Sequence, residues 1–267
     1  MRQPSKKGAP HSASGAMCQW WGLMCSVTTT ALRALPTSGQ PTCCGRCATA
    51  PCVLSCAAAA ATVQWLIGFS DATALHSAQV SAGVMSIHGS MCDGIAARSP
   101  QRDSVNIIMR RLLLGHPPQY TVPAHPLDQK GEATGILVGG NMSVFCALAG
   151  SDYDFLRRAD EGLVLFIKDT QEPMSKADRM LHLLEIRGIL PRLKGIIVGH
   201  FLKYKSPENG FADMYHMLHE YLQHYPVPVC YDFPVGHHST HNYPMIEGCH
   251  VRLKVSEQGT EVTFLAQ

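Results

Sequence analysis

Ser70 stands where an apolar run, Trp65-Leu66-Ile67, meets an Ala-rich, helix-compatible one, Ala72 to Val80, across Gly68-Phe69-Ser70-Asp71. Strand, sharp turn and helix in that order push a hydroxyl beyond the carboxyl edge of a sheet and leave N–H groups of the new helix facing it. A serine so placed is a candidate nucleophile, and those N–H groups are candidate stabilisers of an oxyanion. The segment also reads as an ordinary helix start, since Ser and Asp are favoured N-caps and Gly marks a turn. Its G-x-S-D-A pattern departs from the G-x-S-x-G nucleophile elbow.

Two clusters raise metal chemistry. Cys44-Gly45-Arg46-Cys47 is a C-x-x-C that Cys52 and Cys56 could complete to four thiolates, but no His or Asp and no framing strand or helix supports it. His237, His238 and His241 have a spacing that would share a zinc ion on a helix. Pro234, Gly236, Ser239 and Thr240 make that segment a loop, and no nearby carboxylate or thiolate completes a site. The expectation is therefore no metal and no cofactor.

The elements that must position Ser70 begin only after about residue 62. No Asp or Glu precedes Asp71, so all 20 acidic residues lie from there onward, while seven of the 11 cysteines lie in the first 60 residues. For that segment three readings compete. Arg2, Lys6 and Lys7 ahead of Trp20, Trp21, Leu23 and Met24 suggest a secretory leader, although the apolar patch is short and late. The cysteines suggest the thiolate knuckle. The absence of acids and of any apolar period suggests a stretch that is not a selected protein sequence, as a misassigned start would yield, with disorder as the consequence. The third reading is preferred, and Ala57 to Ala61 is too weakly apolar for a membrane span.

The whole chain has 267 residues, 46% apolar and 16% charged, enough for one large or two ordinary domains with a buried core. A net charge of +2 selects no partner, neither nucleic acid nor membrane. Downstream of Thr62 the pattern is α/β. Strands are expected at Val63 to Ile67, Val84 to His88, Ile136 to Asn141, Leu163 to Ile167, Gly195 to Phe201 and Val227 to Phe233. Val251 to Val255 and Val262 to Leu265 form a closing hairpin around Gln258-Gly259. Helices are expected at Ala72 to Ala82, 103 to 114 and Met142 to Ala149. Two more are set by the faces Ala177, Met180, Leu181, Leu184 and Phe211, Met214, Tyr215, Leu218, Leu222. Prolines from 117 to 126 suggest a linker. The division is a segment apart at 1–62, a nucleophile domain at 63–115, a linker at 116–134 and a mixed α/β domain at 135–267. Cys92, Cys146, Cys230 and Cys249, scattered through core elements, suit reduced thiols and a cytoplasmic setting.

Several turns together resemble the L,D-carboxypeptidases, serine peptidases that include murein tetrapeptide carboxypeptidase and the microcin C self-immunity peptidase. The pieces are Ile67-Gly68-Phe69-Ser70-Asp71-Ala72-Thr73-Ala74-Leu75, Ile87-His88-Gly89 and Gly135-Ile136-Leu137-Val138-Gly139-Gly140-Asn141. They continue with Leu165 to Glu172, Asp178-Arg179-Met180-Leu181 and Phe233-Pro234-Val235-Gly236-His237. They keep the family's order across roughly residues 63 to 253. The resemblance implies a two-domain α/β fold and a Ser, His, Glu triad, with Ser70 as nucleophile and His237 as general base. It also implies that Asp71 supplies a backbone N–H to the oxyanion hole, that no cofactor is needed, and that a homodimer forms.

Two departures stand out. The family's orienting glutamate, first in a strand-end E-D-x-x-E, is here Lys168 of Lys168-Asp169-Thr170-Gln171-Glu172. An ammonium can only donate, and it repels the imidazolium that a carboxylate would stabilise. Asp169 should point to the opposite face of an extended strand, and Glu172 is a possible but displaced substitute. Secondly, the family's R-G-G-Y-G turn has no match at Cys44 to Ala50, which predicts an incomplete nucleophile domain with an unpaired strand edge.

Three readings follow. In the first, the chain releases the terminal D-alanine of murein tetrapeptides in cell-wall recycling through an acyl-enzyme on Ser70. The second changes the substrate to a peptidyl or aminoacyl nucleotide, which requires an aromatic or polar platform not evident in the sequence. The third is a non-catalytic muropeptide binder whose Lys168 pairs with the ligand's free carboxylate.

Overall fold

A computed structural model describes residues 65–90, 100–204, 210–237 and 242–265. These fall within one unit, Thr62–Gln267. The anomalous segment, including the cysteine cluster, and Cys92, His238 and His241 lie outside the described residues.

The central element is a seven-stranded sheet built of β3 (Gln119–Val122), β10 (Gly259–Phe264), β9 (His250–Ser256), β4 (Gly131–Asn141), β5 (Leu163–Thr170), β6 (Gly195–Leu202) and β7 (Val229–Phe233), in that spatial order. From β4 to β7 the pairing is parallel, and from β4 through β9 and β10 to β3 it is antiparallel. The parallel strands are continuous apolar runs because both of their faces are covered. Alternate residues serve opposite cores. Val138, Leu165, Ile167 and Val198 pack with α3 (Met142–Ala147), α4 (Met174–Ile186) and α5 (Met214–Leu222). Leu137, Val164, Phe166 and Ile197 face the other way, toward Met109 and Leu112 of α2 (Pro100–Leu113) and a second sheet.

That second sheet is small. It comprises β1 (Ile67–Gly68), β2 (Ser86–His88) and β8 (Met245–Glu247), with β1 and β2 parallel, β2 and β8 antiparallel, and β1 at one edge among the described residues. α1 (Thr73–Ser81) leaves β1 through a 3-10 turn, Ser70–Ala72.

The α/β class and the order of strands and helices agree with the sequence pattern, with three differences. The first strand is the pair Ile67–Gly68 rather than a run from Val63; residues 63 and 64 lie outside the described residues. The stretch read as a proline linker contains β3, whose Tyr120 and Val122 point inward while Gln119 and Thr121 are exposed, and the first residues of β4. Prolines flank β3 without interrupting it, so the period-2 alternation prevails. β8 was not anticipated, because three residues pairing with a strand far away in sequence leave no local periodicity. Cys146, Cys230 and Cys249 are buried free thiols, as expected. Among the described residues no helix is long and apolar enough to cross a membrane.

The join between β4 and α1 is tight. At Gly140, φ is +123°, and a Cβ would lie 2.7 Å from Thr73 Cγ2 and overlap the Thr73 hydroxyl. Gly140→Ala should therefore lower stability by about 3 kcal/mol, combining backbone strain with overpacking. Gly150→Ala, with φ +80° but open space around it, should lose about 1 kcal/mol. Urea unfolding of the two variants separates the effects, and equal losses would show that the Thr73 contact is not felt.

Candidate active site

Gly68 ends β1 with no room for a side chain, since a Cβ would come 2.8 Å from Ala72 Cβ. Phe69 is extended, at φ −150° and ψ −176°. Ser70 then adopts φ +63°, a left-handed conformation that costs a non-glycine residue about 1–3 kcal/mol and persists only when its surroundings enforce it. His76, one turn into α1, bonds through Nε2 to the Gly68 carbonyl at 3.0 Å and through Nδ1 to Ser86 Oγ at 2.8 Å. Donation to a carbonyl puts the His76 proton on Nε2, so the Ser86 hydroxyl donates to Nδ1. Thr73 Oγ1 accepts the Asn141 N–H at 3.1 Å. The turn is thereby fastened to β2 and β4.

His237 comes from the other sheet, on the loop after β7. The His200 N–H donates to the Val235 carbonyl at 2.9 Å, and the Gly236 N–H donates to Asn242 Oδ1 at 3.1 Å. So held, His237 Nε2 lies 2.9 Å from Ser70 Oγ, and its ring meets Phe69 edge-on at 5.1 Å. Ser70 donates to Nε2 when the imidazole proton is on Nδ1. Nδ1 is buried and has no hydrogen-bond partner among the described residues. Burial, with the Lys168 and Lys203 ammoniums as further causes, holds His237 down at about 4. The imidazole is therefore neutral and able to accept a proton through the neutral pH range.

Lys168 is fully buried at the end of β5. Its ammonium donates to Asn141 Oδ1 and lies 5.3 Å from the Phe69 ring centre. Burial brings it down to about 7, against the opposing pull of Asp169, Glu247 and Asp71. Asp169 reaches α3, on the face opposite the Phe69 ring that Lys168 meets, as the strand alternation predicted. The register shifts between Ile167 and Asp169, and the Asp169 carboxylate accepts from Asn141 Nδ2 at 3.1 Å and from the Ser143 N–H at 2.7 Å. One amide thus joins Lys168 and Asp169. Glu172 pairs with Lys176 at 3.0 Å, and Asp71 is the exposed second residue of the turn. A Lys168 gripping an external carboxylate would need an exposed ammonium, and it has none.

Sequence reasoning missed His76, His88 and Glu247, which together form a fully buried group whose ligand atoms lie within 4.8 Å of one another. Residues scattered over positions 76, 88 and 247 carry no spacing signal. The one available hint was a glutamate inside an apolar triplet, Met245-Ile246-Glu247.

Residues 134–253 match the family described as LD-carboxypeptidase C-terminal domain. A Synechocystis protein named as a carboxypeptidase is 31% identical over 182 residues, 65% of this chain and 56% of that protein. The murein tetrapeptide carboxypeptidase of Pseudomonas aeruginosa is 29% identical over 185 residues, 67% of this chain and 59% of that protein. Among solved structures, muramoyltetrapeptide carboxypeptidase from Oxalobacter formigenes gives a TM-score of 0.64 at 24% identity, over 76% of this chain and 69% of that one. Microcin C7 self immunity protein MccF, in complex with aspartyl sulfamoyl adenosine, gives 0.63 at 18% identity over 76% and 68%; likeness at these identities speaks to fold. The comparisons support the LD-carboxypeptidase family for residues 134–253, and the chain spans 56% to 59% of the length of those two curated relatives.

Removing the buried ammonium with Lys168→Met should raise the His237 pKa from about 4, yet leave it below 6.5, because burial is the larger cause. A histidine ring titration by NMR reads this directly, and an unchanged value would show that Lys168 does not act on His237. The linkage sign follows. A folded pKa below the unfolded one gives a contribution to stability that is complete above 6.5 and lost as pH falls through about 4. The variant should lose it over a narrower window.

Proposed function

We propose that the chain is a serine-type carboxypeptidase that releases the terminal D-alanine of murein tetrapeptides. The observation that carries this is the 2.9 Å contact between Ser70 Oγ and His237 Nε2 in a chain of this family. Ser70 Oγ attacks the carbonyl of the terminal peptide bond while His237 Nε2 takes its proton. The negative oxygen of the tetrahedral intermediate faces the Asp71 N–H at the start of the helix. Collapse breaks the C–N bond, His237 returns its proton to the departing D-alanine amine, and the acyl group stays on Ser70. Water, deprotonated by the same imidazole, then releases the shortened peptide and restores the hydroxyl.

The geometry also supports a handicap. Among the described residues no carboxylate meets Nδ1 of the imidazolium formed in each step, and the buried Lys168 ammonium acts on it unfavourably. The chain should therefore act slowly, Ser70→Ala should abolish release, and Lys168→Glu should raise kcat by on the order of 10^3 to 10^4. D-alanine release, followed by a coupled oxidase assay, measures all three. No release from a folded Lys168→Glu variant would sink the reading.

A second reading, hydrolysis of an aminoacyl or peptidyl nucleotide, draws support from a cavity of about 540 Å³ lined by His125, Tyr215, Tyr231 and Tyr243 beside Pro234. Such rings could stack on a base. Competition between tetrapeptide and aminoacyl sulfamoyl adenosine for one preparation distinguishes the two.

A further inference from the structure

We infer that His76, His88 and Glu247 form a binding site for a divalent cation of the zinc type, which ties the small nucleophile-bearing sheet together. The three ligands come from three different elements, α1, β2 and β8, and all are fully buried. Glu247 Oε1 lies 3.9 Å from His76 Nδ1 and 3.9 Å from His88 Nδ1. Ligands around a tetrahedral zinc ion are about 3.4 Å apart, so each carboxylate–imidazole edge needs to close by only about 0.5 Å.

The independent pointer is a set of orphaned atoms. Among the described residues, both ring nitrogens of His88 and Glu247 Oε1 are buried without a hydrogen-bond partner, a costly arrangement in an apolar interior. One cation satisfies His88 Nδ1 and the carboxylate oxygen together. The His76 proton lies on Nε2, held by the Gly68 carbonyl, so Nδ1 keeps its lone pair, and the Ser86 hydroxyl that donates to it must yield for the ion to bind. Two imidazoles and a carboxylate are the donor set of a zinc-type ion rather than of magnesium or calcium. The remaining position is free for water. Against the cation stands the Lys168 ammonium, which interacts electrostatically with Glu247 and both histidines.

Such a clip suits this place in the fold. β1 has two residues, and β2 and β8 three each, so the sheet carries few ladder bonds. A buried ion loads as the chain folds, because metal binding and folding are coupled.

The test refolds the full chain with zinc, with cobalt or with a chelator, passes it through a desalting column, and counts metal by mass spectrometry. One equivalent of zinc per chain, the visible bands of low-symmetry cobalt, and a melting temperature several degrees above that of the chelator sample are expected. Glu247→Gln keeps the shape while removing the anionic ligand, and should bind at least about 100-fold more weakly. Ser70→Ala should retain the metal, which separates this outcome from that of the peptidase reading. No bound metal in a folded chain would overturn the proposal. Equal binding by the Glu247→Gln variant would also overturn it, because exposed histidines would then account for the metal.

Discussion

The 2.9 Å approach of Ser70 Oγ to His237 Nε2 joins residues whose supporting strands belong to different sheets, and that demand explains much of the remaining architecture. β1 must end where the loop after β7 ends, although the two strands share no hydrogen bonds. The intermediary is the far core of the large sheet, where Leu137, Val164, Phe166 and Ile197 pack against Ile87, Met245 and Ile246 of the small one. Apolar packing sets the distance between the sheets, while directional bonds from the Asn141 N–H to Thr73 and from the Gly236 N–H to Asn242 set the final aim. Neither alone suffices. Hydrophobic burial is non-directional, and isolated hydrogen bonds contribute only about 1 kcal/mol each.

Within that frame, position 168 decides the electrostatics. A carboxylate there would stabilise a cationic His237, whereas the ammonium opposes it. The conflict is eased in two ways. Lys168 is brought down to about 7 by burial, so it is partly neutral near neutral pH, and its remaining charge is shared with the Asn141 amide and the Phe69 ring. A neutral amine no longer repels an imidazolium, but a charge-assisted bond is still missing from Nδ1. The lysine thus lowers the basicity of His237 without displacing it.

The sequence disclosed the large sheet well because β5 and β6 contain the apolar runs Leu163–Ile167 and Ile196–Val198, which suit strands buried on both faces. It disclosed Ser70 because strand, turn and helix signals adjoin within a dozen residues. His237 became legible only through the order of several motifs, since a histidine after a strand has no signature of its own. β3 was masked by neighbouring prolines, and β8 by its brevity. Asp169 follows the alternation and reaches Ser143 of α3, because the extra residue at the register shift lies in β6, between Val198 and Phe201, and leaves β5 regular. Most hidden of all was the group at 76, 88 and 247, whose members meet only through long-range pairing.

The two sheets also differ in what holds them. The large one is filled by aliphatic and aromatic side chains on both faces, whereas the small one and its helix bury His76, Ser77, Ser86, His88 and Glu247. A strained Ser70 needs a turn that is over-determined, and apolar side chains, which tolerate sliding, are poor at this. Polar groups with fixed directions are better suited, as in the bonds from His76 to Gly68 and Ser86 and from Ser77 to the Tyr153 carbonyl. The cost is a high penalty for every partner left unmet in so dry an interior. The Ser70 turn, which depends on buried polar groups, is therefore most vulnerable at the orphaned atoms of His88 and Glu247, the place where a single ligand could do the most to stabilise it.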